Sequence, residues 1–503
     1  MMNINVLVDR EDGLEWLKYT LDSFTRLSKA NIKFSLVTKK QQFQGIVIAY
    51  GTVLKPQNHK VLSIPRATEY LPGNYHYIVT ESLEDGRVEG SSIPIFQKTF
   101  APVSSIPGKV LLKNHGSSTS CASLADNEIK ISFDLFYNCF IRLSCLQEWN
   151  YEEESGPIQS YATKLKGMVK MDYQMPVANY LFAILEDMLL MLADESIKGQ
   201  LFAKRSAFKI CLTHDVDFVR KTALLRTKRS AFHMVRGLQN IRKAQFSDAL
   251  GEVSRSFNFL VMPQDYWQFE YIQGLEEKHN FKSTFYFYTR VKSKQIPERL
   301  RRLLFDPGYD IEKNKKLRTK IKELTEQGWE VGLHGSFDSY NRPELFKEEK
   351  KRLEAVSGVA VISTRQHWLH LSMRDTWRIQ AEAGILADTT QGFNDCFGFR
   401  AGIASPFYPY DFINQKSQPV LEIPMLLMDG TLFDYCMMDK DEALENSIKV
   451  LEEVKKFDGC VAINWHENTP AADYGWYGVY EKILDWISEN NGEGIPVSKT
   501  LAI

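Results

Sequence analysis

The sequence predicts an α/β protein: a distorted (β/α) barrel of about seven strands over residues 205–503, preceded by a smaller α+β domain over residues 1–200. Three observations lead there. From Phe208 onward, apolar runs of strand length alternate with amphipathic helical stretches, the rhythm of parallel strands joined by crossover helices. Five polar stretches each follow such a run: Leu212-Thr-His-Asp-Val-Asp217, Gly332-Leu-His-Gly-Ser-Phe-Asp338, Arg365-Gln-His-Trp-Leu-His370, Met428-Asp-Gly430 and Ile463-Asn-Trp-His466. On a barrel, positions just past the strands share the C-terminal rim, so distant residues become neighbours. Finally, 503 residues are too many for one ordinary core.

The elements follow in order. A helix around Asp12–Leu27 leads into strands at Phe34–Val37 and Gly45–Tyr50. Leu71-Pro-Gly-Asn74 and Ser117-Ser-Thr-Ser120 read as turns. Helical patterns return at Asp134–Glu148 and Pro176–Asp194, the second apolar enough to be buried. His59, His76 and His115 each stand alone, the pattern of structural or solvated histidines. The boundary falls near Lys198–Arg205. Strands are then expected at Lys209–Thr213, Ser283–Tyr288, Trp329–Leu333, Val361–Thr364, Ile385–Asp388, Leu421–Met428 and Cys460–Trp465. Helices are expected at Trp267–His279, Ile311–Gln327, Arg342–Val356 and Leu444–Lys456.

Composition narrows the class. Hydrophobic content of 44% and charged content of 25% are globular, and a net charge of −1 offers no footprint for nucleic acid. The start, Met1–Asp9, has no basic segment followed by an apolar one, so no signal peptide is expected. No run approaches the ~18 apolar residues of a spanning helix. The seven Cys, at 121, 139, 145, 211, 396, 436 and 460, form no Cys-x-x-Cys. Reduced thiols and a cytoplasmic location are the expectation.

Asp215 and Asp217 lie two apart, which on a continuing strand puts both carboxylates on one face. Alone, the pair reads more readily as a solvated turn with an Asp N-cap. His334 and Asp338, four apart, can reach one cation together, with Asp217 as a third ligand. The bland alternative is a packed His and a helix cap. Arg365 can grip a carboxylate bidentately. His367 and His370 share a helical face and stand as ligands, substrate contacts or neither. Asp429 can hold His466 in one tautomer and raise its pKa, as acid catalysis requires.

These stretches resemble the polysaccharide deacetylases, carbohydrate esterase family four, and the spelling resembles a bacterial subgroup with an N-terminal domain of unknown function. The resemblance covers about residues 205–480. It implies a distorted β/α barrel, one divalent metal ion, and removal of acetyl groups from amino sugars. It implies Asp215 as general base, Asp217 as ligand, Arg365 as tether of the base, and His466 as general acid beside Asp429. The family's His-x-x-x-His is here His334-Gly-Ser-Phe-Asp338, and its Arg-Pro-Pro-Tyr is here Arg365-Gln-His-Trp368. On this reading Asp217, His334 and Asp338 hold the ion, and one His with two carboxylates makes Mn, Fe, Co or Ni competitive with Zn. Backbone donors near Trp368 serve the oxyanion. Arg400, His367, Trp368 and Tyr408 contact the saccharide, although the aromatics equally suit a loop core. Two other readings remain open: a degenerate carbohydrate-binding barrel, and a hydrolase of a different amide (a formamide or cyclic amide).

One feature stands outside this chemistry. Eight Lys and Arg fall between Arg220 and Lys243, with no acid between Phe218 and Ser247. This is a solvated basic face or a peripheral docking surface for an anionic membrane or lipid-linked sugar.

Overall fold

The computed structural model describes every residue except 1, 10–12, 39–42, 44, 52–58, 67–75, 81–86, 97–108, 115–119, 126, 166–172, 204–205, 294, 477 and 503. The turns expected at Leu71–Asn74 and from Ser117, and His115, lie outside the described residues. The chain forms two compact units. The first comprises Met1–Phe208, Trp368–Leu426 and Val450–Val461; the second comprises Lys209–His367, Leu427–Lys449 and Ala462–Ile503. The first crossing lies just past the boundary read from sequence. Residues 368–426 and 450–461, which the sequence reading gives to the barrel, pack with the N-terminal residues.

The first unit holds a nine-stranded mixed sheet of β1 (Met2–Leu7), β2 (Ile32–Val37), β3 (Ile46–Tyr50), β4 (Lys60–Ile64), β5 (His76–Thr80), β6 (Ser92–Ile95), β7 (Lys109–Asn114), β8 (Ser120–Ala125) and β9 (Glu128–Ile131). The order is β2-β1-β3-β4-β9-β8-β7-β5-β6. Ile46-Val-Ile-Ala-Tyr50 is apolar throughout and buried throughout, as a strand covered on both faces must be. Helices α1 (Glu15–Leu27), α2 (Leu135–Leu143), α3 (Leu146–Ser155), α4 (Val177–Leu192) and α5 (Glu195–Leu201) belong to the same unit. α4 is the buried helix anticipated, and Glu186, one of the acids that interrupt it, pairs with Arg87 at 2.9 Å.

The second unit is built on β10 (Lys209–Val216), β11 (Thr284–Tyr288), β12 (Glu330–Gly335) and β13 (Ser363–Gln366), consecutive and parallel. The crossover from β10 to β11 carries three helices, α6 (Ala223–Arg242), α7 (Phe246–Val261) and α8 (Phe269–Glu277). α9 (Ile296–Phe305) and α10 (Lys315–Glu326) lead to β12, and α11 (Pro343–Ser357) leads to β13. The chain then runs through the first unit as α12 (Thr376–Glu382), β14 (Ala387–Asp388), β15 (Tyr410–Asp411), β16 (Lys416–Ser417) and β17 (Leu421–Glu422). β18 (Met425–Met428), α13 (Lys440–Lys456), β19 (Cys460–Asn464), α14 (Val479–Glu489) and β20 (Glu493–Ile495) follow.

In this unit the sheet runs β13-β12-β11-β10-β19-β18, with β20 also beside β10. It is a curled, open half-barrel, the distorted (β/α) barrel the sequence predicts. β11 and β19 are buried along their whole length, which explains their largely apolar and aromatic spelling. None of the seven cysteines is in a disulfide. Among the described residues, no helix is long and apolar enough to cross a membrane.

Candidate metal centre and active site

The site lies where β10, β12, β13 and β19 end, and all its residues belong to the second unit. Strand alternation sorts the first motif. His214 points away: its Nε2 lies 2.7 Å from Glu276 Oε1 and its Nδ1 2.7 Å from the Trp465 carbonyl, all buried. Asp215 takes the other face. Its Oδ1 accepts from Arg365 Nη1 at 3.1 Å and its Oδ2 accepts from Asn464 Nδ2 at 2.8 Å. The fully buried Arg365 guanidinium also lies 5.0 Å over the Tyr286 ring. Gly332 makes room for that ring, because a Cβ there would stand 2.4 Å from Tyr286 Cε1. Burial pushes the Asp215 carboxyl up, but the Arg365 charge, with His334 and His466, outweighs it and holds the pKa below the usual range.

Beside this pair, Asp217, His334 and His367 present three ligand atoms, all within 4.8 Å of one another. His334 Nε2 is 3.4 Å and His367 Nε2 is 3.6 Å from Asp217 Oδ1. His334 Nδ1 donates to the Arg365 carbonyl at 3.0 Å, since a carbonyl only accepts. That fixes the tautomer and leaves the Nε2 lone pair facing the cluster. His334 Nε2 and Asp217 Oδ1 are buried and make no hydrogen bond. Such orphaned atoms are costly unless something completes them, and a divalent cation fits both donors. Behind His367, Asp306 Oδ1 stands 3.5 Å from Nδ1, as a second-sphere carboxylate would. Burial lowers the His367 pKa, but Asp217 and Asp306 push it up to about 9. Burial likewise opposes ionisation of Asp217, and the charge of His367 with the close approach of His334 overcomes it and holds the pKa well below the usual range.

The third part is His466. Its Nδ1 is 2.6 Å from Asp429 Oδ1, and its backbone N–H donates to Asp429 Oδ2 at 2.9 Å. Thr469 Oγ1 donates to the same carboxylate at 2.7 Å. With Nδ1 held by a carboxylate, Nε2 is the atom left to work, 3.7 Å from Asp217 Oδ2.

The structure thus brings together Asp215, Asp217, His334, Arg365, Asp429 and His466. It does not bring Asp338 to the cluster: Arg301 of α9 donates to its Oδ2 from Nε at 3.0 Å and from Nη2 at 2.8 Å. His367, expected among the substrate contacts, supplies the third member of the cluster with Asp217 and His334. Arg400 belongs to the first unit and is buried. Its guanidinium grips Glu148 at 2.6 Å and donates to Ser160 Oγ and the Gly392 carbonyl, each at 2.7 Å, so it is a structural cation and no rim residue. Tyr408 likewise packs within that unit: its carbonyl accepts from Tyr19 at 3.0 Å and its ring receives Arg26. Trp368 has a left-handed backbone, φ 58°, and a partly exposed side chain. Sequence reasoning missed Asn464 and Asp306. Asn464 lies inside a motif already singled out, two residues before His466, and that position was the available signal.

A cleft of about 880 Å³ opens over Asp217, lined also by Phe218, Tyr288, Arg302, Asp306 and Tyr309. Its size is that of a small-molecule site.

No family model matches the chain, and no curated protein matches it. Solved structures similar to it include a Mycobacterium smegmatis protein provisionally titled a polysaccharide deacetylase, at 16% identity over 59% of this chain and 90% of that one, TM-score 0.37. Agd3, titled a carbohydrate deacetylase, is similar over 100% of this chain and 87% of its own, at 8% identity and TM-score 0.36. A Bacillus anthracis pseudoenzyme of the CE4 family is similar over 59% and 66%, at 11% identity and TM-score 0.27. Likeness at this level says nothing of activity, substrate or ion.

Proposed function

We propose that this protein is a metal-dependent amide hydrolase that removes an N-acyl group, an acetyl by preference, from an amino sugar. The observation that carries the reading is the buried cluster of Asp217, His334 and His367, in which Asp217 Oδ1 and His334 Nε2 are left without hydrogen bonds beside a tethered carboxylate and an oriented imidazole. The motif order that resembles the polysaccharide deacetylases supports the sugar as substrate class.

Asp217, His334 and His367 would hold the ion. Two imidazoles and one carboxylate suit Zn, Co, Ni or Fe better than Mg or Ca. When bound, it supplies Lewis acidity toward the acyl carbonyl and lowers the pKa of water. Asp215 takes the proton of the attacking water. Arg365 keeps Asp215 ionised, and Asn464 fixes the orientation of its second oxygen. His466 enters the reaction protonated, because Asp429 raises its pKa against the lowering effect of burial. Its Nε2 delivers that proton to the leaving amine, which cannot depart as an anion near neutral pH. Fixed charges inside a mostly buried pocket need no reorganisation during the step.

The test is turnover of N-acetylated amino sugars by metal-reconstituted protein, read as free amine. Amine released by wild-type but not by Asp215→Asn supports the reading. Equal release by both, or stoichiometric metal with no release from any N-acyl sugar, removes it.

A further inference from the structure

The helical hairpin after the first motif is built the wrong way round for water. α6 and α7 meet along a largely polar seam. His233 Nδ1 lies 2.6 Å from Glu252 Oε2, Arg236 reaches Glu252 at 3.3 Å, and the Ser230 and Ser256 hydroxyls lie 2.8 Å apart. Gly237 lets the backbones close, since a Cβ there would stand 3.4 Å from the Ala249 carbonyl oxygen. The apolar residues face outward instead. On α7, Phe246, Leu250, Val253, Phe257 and Leu260 recur at intervals of four and three, one stripe of a helix. Leu250 is 73% exposed, Phe246 64% and Phe257 62%. Val235, Leu238 and Ile241 of α6 are also exposed, and α9 has no buried residue at all. Single exposed apolar residues are ordinary, whereas a continuous stripe on neighbouring helices marks a surface that meets something other than water.

Charge says what that something is. Between Phe218 and Met262 there are nine Lys and Arg against two acids, Asp248 and Glu252. Glu252 is spent in the seam on His233, Arg236 and Arg255. Arg242 and Lys243 stand exposed at the turn of the hairpin, next to Phe246. An apolar stripe bordered by bases complements an anionic headgroup layer over hydrocarbon. A second copy would set base against base.

We propose that the α6–α7 hairpin, with α9 beside it, docks the protein on an anionic lipid bilayer surface. α9 is tied to the hairpin by Lys228 Nζ, which donates to the Leu304 carbonyl at 2.5 Å. The cleft over Asp217 is walled by these same elements, through Leu224, Lys228, Ile296 and Leu300. Docking therefore sets the cleft mouth against the leaflet, and the substrate class becomes an N-acylated saccharide carried on a membrane lipid. That last step rests on the hydrolase reading. The docking itself does not, because vesicle binding requires no turnover.

The experiment is flotation of the full chain with phosphatidylcholine vesicles, with and without phosphatidylglycerol, at low and high salt. Wild-type protein is expected to float with the anionic vesicles at low salt and to lose most of that binding at high salt. Arg242→Glu with Lys243→Glu should weaken anionic binding roughly tenfold or more. Leu250→Ser with Phe257→Ser should weaken it at either salt, with an unchanged melting curve. Absence of wild-type flotation with anionic vesicles at low salt overturns the proposal. So does equal flotation with neutral and anionic vesicles. If Leu250→Ser with Phe257→Ser converts a dimer to a monomer in sedimentation velocity and leaves flotation unchanged, the face belongs to a second copy and the proposal fails.

Discussion

Asp429 Oδ1 stands 2.6 Å from His466 Nδ1, and the same carboxylate accepts the His466 backbone N–H, so one buried acid fixes both the ring and its tautomer. The pH dependence follows from this pair. Burial lowers the His466 pKa, but Asp429 raises it to about 10, with Asp217 and Asp215 assisting. The acid is therefore charged below that value, and activity is lost as pH rises through it. Asp429→Asn removes the largest raising influence. The alkaline limb of kcat should move to lower pH, and a pH–rate profile checks it. An unmoved limb would mean that His466 is not the proton donor.

Asp215 has the opposite sign. Burial raises its pKa and Arg365 lowers it, with a net depression. The base is ionised down to low pH and fails as pH falls through its pKa. Arg365→Gln should move the acid limb to higher pH. Asp215→Asn should keep metal and fold while lowering kcat by ~10²–10⁴, the scale of general acid–base catalysis. Metal analysis alongside kinetics separates loss of a base from loss of a ligand.

Arg400 separates a structural role from a place on the saccharide rim. It pairs with Glu148 at 2.6 Å, both side chains nearly fully buried. Arg400→Met leaves the Glu148 carboxylate buried without its cation, which costs about 3–5 kcal/mol when one partner of a buried pair is removed. Thermal unfolding should show a large loss, with KM unchanged in the protein that stays folded. A raised KM with unchanged melting would return Arg400 to the substrate.

Gly332 tests the support beneath Arg365. An added Cβ meets the Tyr286 ring at 2.4 Å, and that contact is ring carbon, not a flexible tip. Gly332→Ala should cost about 1–3 kcal/mol by overpacking and lower kcat more than KM, as Arg365 shifts from Asp215. Chemical denaturation and steady-state kinetics read the two effects.

Much of this site was legible in the sequence because each residue sits at or just past the C-terminal end of a strand. Parallel strands bring Asp217, His334 and His466 to one rim whatever the loop lengths between them, and alternation places Asp215 opposite His214. The third ligand was not legible. The spacing of His334 and Asp338 offered a plausible pair, but the partner that decides is Arg301, on a helix 37 residues earlier, which captures Asp338. His367 gains its place because β13 pairs with β12 and sets Arg365 beside His334. Arg400 misled for the same reason: Glu148 is 252 residues away in sequence. On α6 the basic run was visible, but not that its polar seam turns inward and its apolar stripe outward. That depends on α7 and its Glu252.

The most direct measurement is metal content of purified protein and its variants by elemental analysis, paired with the melting temperature before and after chelation. One divalent ion per chain is expected in wild-type and in Asp338→Ala. Asp217→Ala, His334→Ala and His367→Ala should each lose it, and chelation should lower the wild-type melting temperature but not theirs. Full metal content in His367→Ala together with loss in Asp338→Ala, or no bound metal in reconstituted wild-type protein, would contradict the centre described.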